Sequence, residues 1–128
     1  KVKKEKVRNY FLSCPESYED FPFGEEITIF KIKNKWFGLL VEREGNLQIN
    51  LKCDPDEALI LRDLFKSVLP GYHMNKKHWN TVILDGSIPE KEIEAMIYSS
   101  YVLIVEKLKK KDRLSLEAKY GKQILYEE

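Results

Sequence analysis

The chain has 128 residues and a mass of 15.1 kDa, the length of one ordinary domain. With 43% hydrophobic and 12% aromatic residues it can bury a core without disulfides or metals, which excludes a disordered or low-complexity chain. Its 22 Lys and Arg against 21 Asp and Glu leave a formal charge of +1, which excludes a histone-like or strongly basic nucleic-acid binder.

The first segment, residues 1–14, combines apolar positions at helical spacing with a basic outer face. The apolar positions run from Val7 to Cys14 and predict an amphipathic helix that ends before Pro15. An aromatic-rich connection follows and ends at residues 21–24, Phe-Pro-Phe-Gly. We interpret these four residues as a hydrophobic plug with a turn glycine, and the alternative is a partner-binding segment.

Three strands are predicted next, over residues 26–33, 36–42 and 47–53. The first is rich in β-branched residues, and its alternation slips near its middle, which indicates a bulge or burial on both faces. The second is almost continuously apolar, as expected of a central strand covered on both sides. The third alternates cleanly and should have one wet face. Short turns at residues 34–35 and 44–46 join the three strands.

The clearest local signal is the helix start at Asp54-Pro55-Asp56-Glu57. Asp54 can cap the free amides, Pro55 suits the first helical position, and Glu57 closes a capping-box-like pair. The helix is predicted to run to about Lys66. Its predicted buried stripe consists of Leu61, Leu64, Phe65 and Val68.

Residues 70–78 show no period and are crowded with hydrogen-bond donors, whereas residues 79–84 predict a fourth strand. A last helix is predicted over residues 87–109. The order α-β-β-β-α-β-α indicates an α+β fold, a single domain over residues 1–110 with helices packed on an antiparallel sheet. Residues 111–128 form a C-terminal extension that could be a short helix or a loose tail.

Four segments resemble, in the same order, those of the MmcQ/YjbR-like proteins: Phe21-Pro22-Phe23-Gly24, Lys52-Cys53-Asp54-Pro55, Pro70 to Trp79, and Ser99-Ser100-Tyr101. The resemblance spans roughly residues 5–110, and Pro70 to Trp79 is its most specific part. It implies a compact α+β domain of the CyaY-like (frataxin-like) type with a double-wing arrangement, and the family is described as DNA-binding. Frataxin-like iron binding would need an acidic first helix, whereas this one is basic, so no iron is expected.

The donor-rich loop is the first candidate site. It contains His73, Asn75, Lys76, Lys77, His78 and Trp79. Lys76 and Lys77 could hold phosphates beside an aromatic ring that meets a base or sugar, and Asn75 is the first candidate for a directional hydrogen bond. The alternative is that the two histidines satisfy backbone carbonyls and fix the loop, while Trp79 belongs to the core.

Basic residues on the strands form the second candidate set. Lys31, Lys33 and Lys35 lie along the first hairpin, and Lys52 lies on the wet side of the third strand. If the hairpin acts as a wing, these lysines could join the loop in one stripe along a phosphate backbone. The alternative is an ordinary solvated face with acidic neighbours.

No catalytic, metal or cofactor signature is present. His73 and His78 are five residues apart, which matches no zinc spacing, so neither a metal site nor a cofactor is expected. Cys53 falls on the inward side of its strand, which predicts a buried thiol and not an activated one. Two separate cysteines, Cys14 and Cys53, favour a reducing compartment, hence the cytoplasm, and no apolar run is long enough to predict a membrane helix.

We therefore expect a non-enzymatic, monomeric domain that contacts DNA through modest, salt-sensitive phosphate binding by residues 73–78 and the hairpin lysines. The alternative is a protein-interaction domain or a domain that binds a small anion in a pocket of the loop and residues 21–24. A continuous basic stripe from the hairpin to the loop would favour nucleic acid. A concave pocket lined by Tyr72, His73 and Trp79 would favour a ligand.

Overall fold

A computed structural model describes residues 1–127 and contains a six-stranded antiparallel sheet with helices packed on it. In chain order the elements are α1 (Lys4–Leu12), β1 (Tyr18–Asp20), β2 (Thr28–Ile32), β3 (Lys35–Arg43), β4 (Asn46–Lys52), α2 (Pro55–Leu64), β5 (Val68–Pro70), β6 (Trp79–Ile83), α3 (Glu90–Glu106), α4 (Lys110–Tyr120) and α5 (Lys122–Tyr126). The strands lie in the spatial order β1-β2-β3-β4-β6-β5, and each neighbouring pair is antiparallel. The predicted α+β fold with an antiparallel sheet is confirmed.

The core lies between the sheet and the helices α1 and α3. Phe11 on α1 is fully buried, and its ring stacks on Phe30 of β2 with centroids 4.1 Å apart. Phe37 of β3 meets both Phe11 and the α3 residue Tyr101, with centroids 5.8 and 5.4 Å away. A Cβ atom at Gly38 would collide with the Phe11 ring, so the glycine allows α1 to approach the sheet closely.

Hydrogen bonds tie α3 to the ends of two strands. The hydroxyl of Ser100, which is 0% exposed, donates to the carbonyl of Phe37 at 2.6 Å and accepts from the amide of Lys52 at 2.9 Å. The Tyr101 hydroxyl donates to the carbonyl of Pro15 at 2.8 Å, which joins α3 to the chain that follows α1. These contacts fix α3 across the end of the sheet where β3 begins and β4 ends.

The predicted strand and helix boundaries lie within three residues of the observed ones. The irregularity predicted near the middle of β2 is confirmed, because the register with β3 shifts between Phe30 and Lys31. The predicted order lacks β1 and β5, two strands of three residues at the edges of the sheet. Three residues are too few to display a period, so only their pairing with β2 and β6 identifies them as strands.

The residues after α3 fold onto the domain as two helices. Leu116 of α4 and Leu125 of α5 are both 0% exposed, and the Tyr98 hydroxyl donates to the carbonyl of Leu125 at 2.7 Å. The described part of the predicted extension over residues 111–128 is therefore helical and packed, and Glu128 lies outside the described residues. None of the helices within residues 1–127 combines the length and apolar character needed to cross a bilayer.

Two details of the predicted core are wrong. Leu64 is 65% exposed and does not join a buried stripe, because the chain leaves α2 at Phe65, which is extended and turns the chain toward β5. Phe21 and Phe23 are 45% and 61% exposed, so residues 21–24 are not a hydrophobic plug. Their segment is the loop of the β1–β2 hairpin and projects from the end of the sheet, although Gly24, at φ +99°, is the turn glycine that the sequence predicts.

Candidate functional site

Strand register brings most of the predicted site residues to one end of the sheet. Ile32 pairs with Lys35 where the β2–β3 hairpin turns, and Lys52 at the end of β4 pairs with Trp79 at the start of β6. Because β3 and β4 are antiparallel neighbours, the hairpin turn, the end of β4 and the loop that precedes β6 share this end.

Two of the three hairpin lysines are held by carboxylates. Lys31 forms an ion pair with Asp20 at 2.6 Å, which raises the pKa of Lys31, and Lys33 pairs with Glu16 at 3.3 Å. Lys35 is exposed and has no ion pair within residues 1–127. Strands β3 and β4 separate β2 from β6, a distance of about 14 Å at ordinary strand spacing. The hairpin and the loop therefore do not form a continuous stripe of unpaired amines.

The loop between β5 and β6 is held by its own polar groups. The amine of Lys76 donates to the carbonyl of Gly71 at 3.1 Å. The side-chain oxygen of Asn75 accepts from the amide of Lys77 at 2.9 Å, and its backbone carbonyl accepts from the amide of Trp79 at 2.9 Å. Lys76 and Asn75 thus shape the loop, and the Asn75 side-chain oxygen is already used inside it.

A clamp on this loop comes from Arg62 of α2, which the sequence reasoning did not select. Its Nε donates to Oδ1 of Asn80 at 2.8 Å, and its Nη2 donates to the backbone carbonyls of Lys76 and Trp79. One guanidinium therefore joins α2, the loop and β6. The spacing along α2 could have identified Arg62. It lies four residues after the buried Ala58, and residues at this spacing share the side of the helix that faces the sheet.

The two histidines of the loop have different neighbouring side chains. His73 is exposed and has a positive φ of 58°, and its ring lies 4.0 Å from that of Tyr72. The guanidinium of Arg43 in turn lies 4.8 Å from the centroid of the Tyr72 ring. His78 instead lies beside Trp79, at the end of the sheet where β4 finishes.

His78 lies beside three lysines, Lys52, Lys77 and Lys107, and we call these four side chains the basic cluster. Burial and then the charges of Lys52, Lys107 and Lys77 hold the pKa of His78 below its usual range. Burial and Lys107 likewise lower the pKa of Lys52, whose amine lies 5.7 Å from the centroid of the Trp79 ring. None of the three lysines forms an ion pair with a carboxylate of residues 1–127.

Lys107 is the member of the basic cluster that the sequence reasoning missed. It caps the C-terminus of α3 and opens a basic run that continues through residues 109–111. The run was visible in the sequence, but its position next to Lys52 depends on the packing of α3 across the end of β4.

A separate cleft of about 480 Å³ opens between α2 and α3, with β4 and β6 as its floor. Its apolar lining includes Leu51, Leu61, Val82, Met96, Val102 and Leu103. Three carboxylates, Asp54, Glu57 and Glu92, also line it, together with Lys52. Asn80 lies in the floor, is 2% exposed, and its Nδ2 has no hydrogen-bond partner among the described residues. The sequence analysis considered a ligand pocket lined by Tyr72, His73 and Trp79. The cleft is a different one, because none of these three residues lines it.

Both cysteines are buried free thiols, as predicted for Cys53. Burial raises the pKa of Cys14 to about 12 and, with the nearby charges of Glu57 and Asp54, that of Cys53 to about 11. Within residues 1–127, no three side chains of His, Cys, Asp or Glu come together in an arrangement that could hold a metal ion.

A family model and several known proteins match most of this chain. The YjbR family model matches residues 12–103. The uncharacterized protein YbdF of Escherichia coli is 43% identical over 93 residues, which cover 73% of this chain and 76% of YbdF. The uncharacterized protein YjbR of Escherichia coli is 32% identical over 104 residues, or 81% of this chain and 88% of YjbR.

Solved structures share the fold over most of the chain. A crystal structure of a Deinococcus radiodurans protein superposes with a TM-score of 0.80 at 35% identity and covers 88% of this chain and 86% of its own. A crystal structure of a Pseudomonas syringae protein gives a TM-score of 0.68 at 28% identity, with 80% of this chain and 98% of its own covered.

Proposed function

The chain belongs to the YjbR family, and on that premise we propose that it is a non-enzymatic domain that binds DNA by holding backbone phosphates in its basic cluster. The observation that supports this is the grouping of Lys52, Lys77 and Lys107 around His78, with none of the three amines in an ion pair with a carboxylate of residues 1–127. After burial, the charges of these lysines are the next largest cause of the lowered pKa of His78. A phosphate placed among these groups would relieve the repulsion among them, because opposite charge favours the protonated forms.

The four side chains have different parts in this proposal. Lys77 and Lys107 are exposed and meet phosphates as point charges. Lys52 is less exposed and holds its amine over Trp79, whose half-buried ring is available for an apolar contact with a sugar or base. Lys35 extends the positive charge from the same end of the sheet. Lys31 and Lys33 contribute less, because their amines are paired with carboxylates.

Binding by this cluster should be modest and should depend on salt and pH. Three lysines on three phosphates predict a slope of log affinity against log salt of about −2.7. The lowered pKa favours the neutral form of His78, whereas a bound phosphate favours the protonated form. Affinity should therefore rise as the solution is made more acidic. The free, buried thiols support a reducing compartment such as the cytoplasm.

Fluorescence anisotropy of a labelled DNA duplex, titrated between about 50 and 200 mM salt, tests the proposal. Lys77→Gln and Lys107→Gln should each weaken binding and reduce the magnitude of the salt slope by about one. Lys91→Gln is the matched control, since Lys91 is exposed on α3 about 24 Å from Lys107 and should change neither quantity. Absence of binding at the lowest salt, or equal effects of all three substitutions, would refute it. Equal competition by inorganic phosphate and by duplex phosphate would assign the cluster to a small anion instead.

A further inference from the structure

We propose that the cleft between α2 and α3 is a second binding site, for a small apolar molecule that is uncharged or positively charged and carries a carbonyl oxygen. The proposal does not rest on DNA binding, although Lys52 belongs both to the basic cluster and to the cleft lining. Its volume of about 480 Å³ lies within the range of small-molecule sites, and its walls are mainly apolar side chains from three helices, α2, α3 and α5, and from two strands, β4 and β6.

Asn80 supplies the polar group that fixes the orientation of such a molecule. A guanidinium can only donate, so the bond from Nε of Arg62 requires Oδ1 of Asn80 to face α2, and Nδ2 must face away from it. Asn80 lies on the same face of the sheet as Val82 and its pairing partner Leu51, and all three line the cleft. Nδ2 is therefore a buried donor at the cleft floor without a partner in residues 1–127.

An unpaired buried amide hydrogen is costly, and native structures leave few of them. Nδ2 has almost no accessible surface, so the groups that cover it must move aside for a molecule in the cleft to reach it. A carbonyl oxygen of that molecule would then complete the bond, while its apolar body would cover Leu51, Val82 and Met96. Because Nδ2 can only donate, a ligand that presents an N–H group to Asn80 would leave the amide unsatisfied. The geometry thus selects for a hydrogen-bond acceptor over a donor.

The cleft is lined by more negative than positive side chains, whereas the lysines of the basic cluster are positive. Asp54, Glu57 and Glu92 contribute three carboxylates to the lining, whereas Lys52 contributes one amine that is held over Trp79. The excess of negative charge disfavours an organic carboxylate or phosphate, and it tolerates a neutral or cationic group. We therefore expect an aryl amide to bind more tightly than the corresponding aryl carboxylate.

The test is a ¹⁵N–¹H correlation titration of the full chain with a panel of aryl amides, with 4-phenylbutanamide as the reference probe. Asparagine side chains give their own NH₂ signals, so the contact at Asn80 is observed directly. We expect the amide to shift the Asn80 NH₂ signal and the α3 backbone signals near Ala95, with a dissociation constant on the order of 1 mM. We expect 4-phenylbutyrate to bind at least several-fold more weakly.

Two variants separate a ligand site from general loosening of the fold. Asn80→Asp keeps an oxygen that accepts from Arg62 but removes the donor, and should weaken the amide at least tenfold. Ala95→Phe fills the cleft from α3 without altering Asn80, and should abolish binding. Lys77→Gln should leave amide binding unchanged, which distinguishes this site from the basic cluster. The proposal is overturned if no aryl amide shifts the cleft signals, if neither cleft variant weakens binding, or if the carboxylate binds as tightly as the amide.

Discussion

Replacing Ser100 by alanine tests how α3 is fastened to the sheet. The Ser100 hydroxyl is 0% exposed and serves two backbone groups, the carbonyl of Phe37 at 2.6 Å and the amide of Lys52 at 2.9 Å. Ser100→Ala removes both bonds and leaves a buried acceptor and a part-buried donor without partners. A buried backbone group that loses its partner costs about 1–3 kcal/mol, so we expect the free energy of unfolding to fall by about 2–4 kcal/mol.

The expected change is large enough to measure by heat or by denaturant. For a domain of this length, a loss of 1 kcal/mol lowers the melting temperature by about 4 °C, so the predicted shift is about 8–16 °C. Urea unfolding followed by far-UV circular dichroism gives the free energy itself, provided that the slope with denaturant stays the same. The matched control is Ser99→Ala, because Ser99 precedes it on α3 and is exposed. Ser99→Ala should change the stability by less than about 0.5 kcal/mol. The reasoning fails if the two alanine variants are equally stable.

Two further predictions concern titrating groups. Hydrogen bonds from Ser87 and Ser67 lower the pKa of Asp85 from 3.8 to about 2, so its contribution to stability is present above about pH 4 and is lost as the pH falls toward 2. Melting temperatures measured from pH 7 to pH 2 should fall less steeply for Asp85→Asn than for the parent chain, and parallel curves would contradict this. Burial raises the pKa of Cys53 from 9.0 to about 11, so its alkylation by iodoacetamide near pH 8 should be roughly 100-fold slower than in the unfolded chain. Mass spectrometry of timed samples measures the rate, and equal rates in the folded and unfolded chain would show that the thiol is not shielded.

The longer elements could be predicted because their signals are local. The cap at Asp54 is confirmed, since its side chain accepts from the amides of Asp56 and Glu57 at 3.2 and 3.4 Å. The almost continuously apolar β3 is one of the two middle strands of the sheet, as its composition indicates. Strand β1 has no comparable signal, because its three residues are strand only through their pairing with β2.

The missing β1 also explains why the ion pairs of two hairpin lysines could not be predicted. Pairing of β1 with β2 brings Asp20 to Lys31, and the turn just before β1 brings Glu16 to Lys33. These ion pairs join residues 11 and 17 positions apart, and no local pattern reveals them. Conversely, the packing of α3 brings Lys107 to the basic cluster, although it is 55 positions from Lys52 in the sequence. Composition could identify the donor-rich loop, but only tertiary contacts decide which positive charges remain unpaired.

Arg62 connects the two proposed sites, although it is a candidate ligand-binding residue in neither. Its Nε fixes the orientation of the Asn80 amide at the cleft, and its Nη2 holds the carbonyls of Lys76 and Trp79, which flank Lys77 and His78 of the basic cluster. A planar guanidinium can make these bonds together because its donors lie in one rigid fork, which a lysine amine cannot reproduce. The cleft and the basic cluster have opposite preferences for charge. They nevertheless depend on the same positioning residue, so a change in how Arg62 is held alters the floor of one site and the loop of the other.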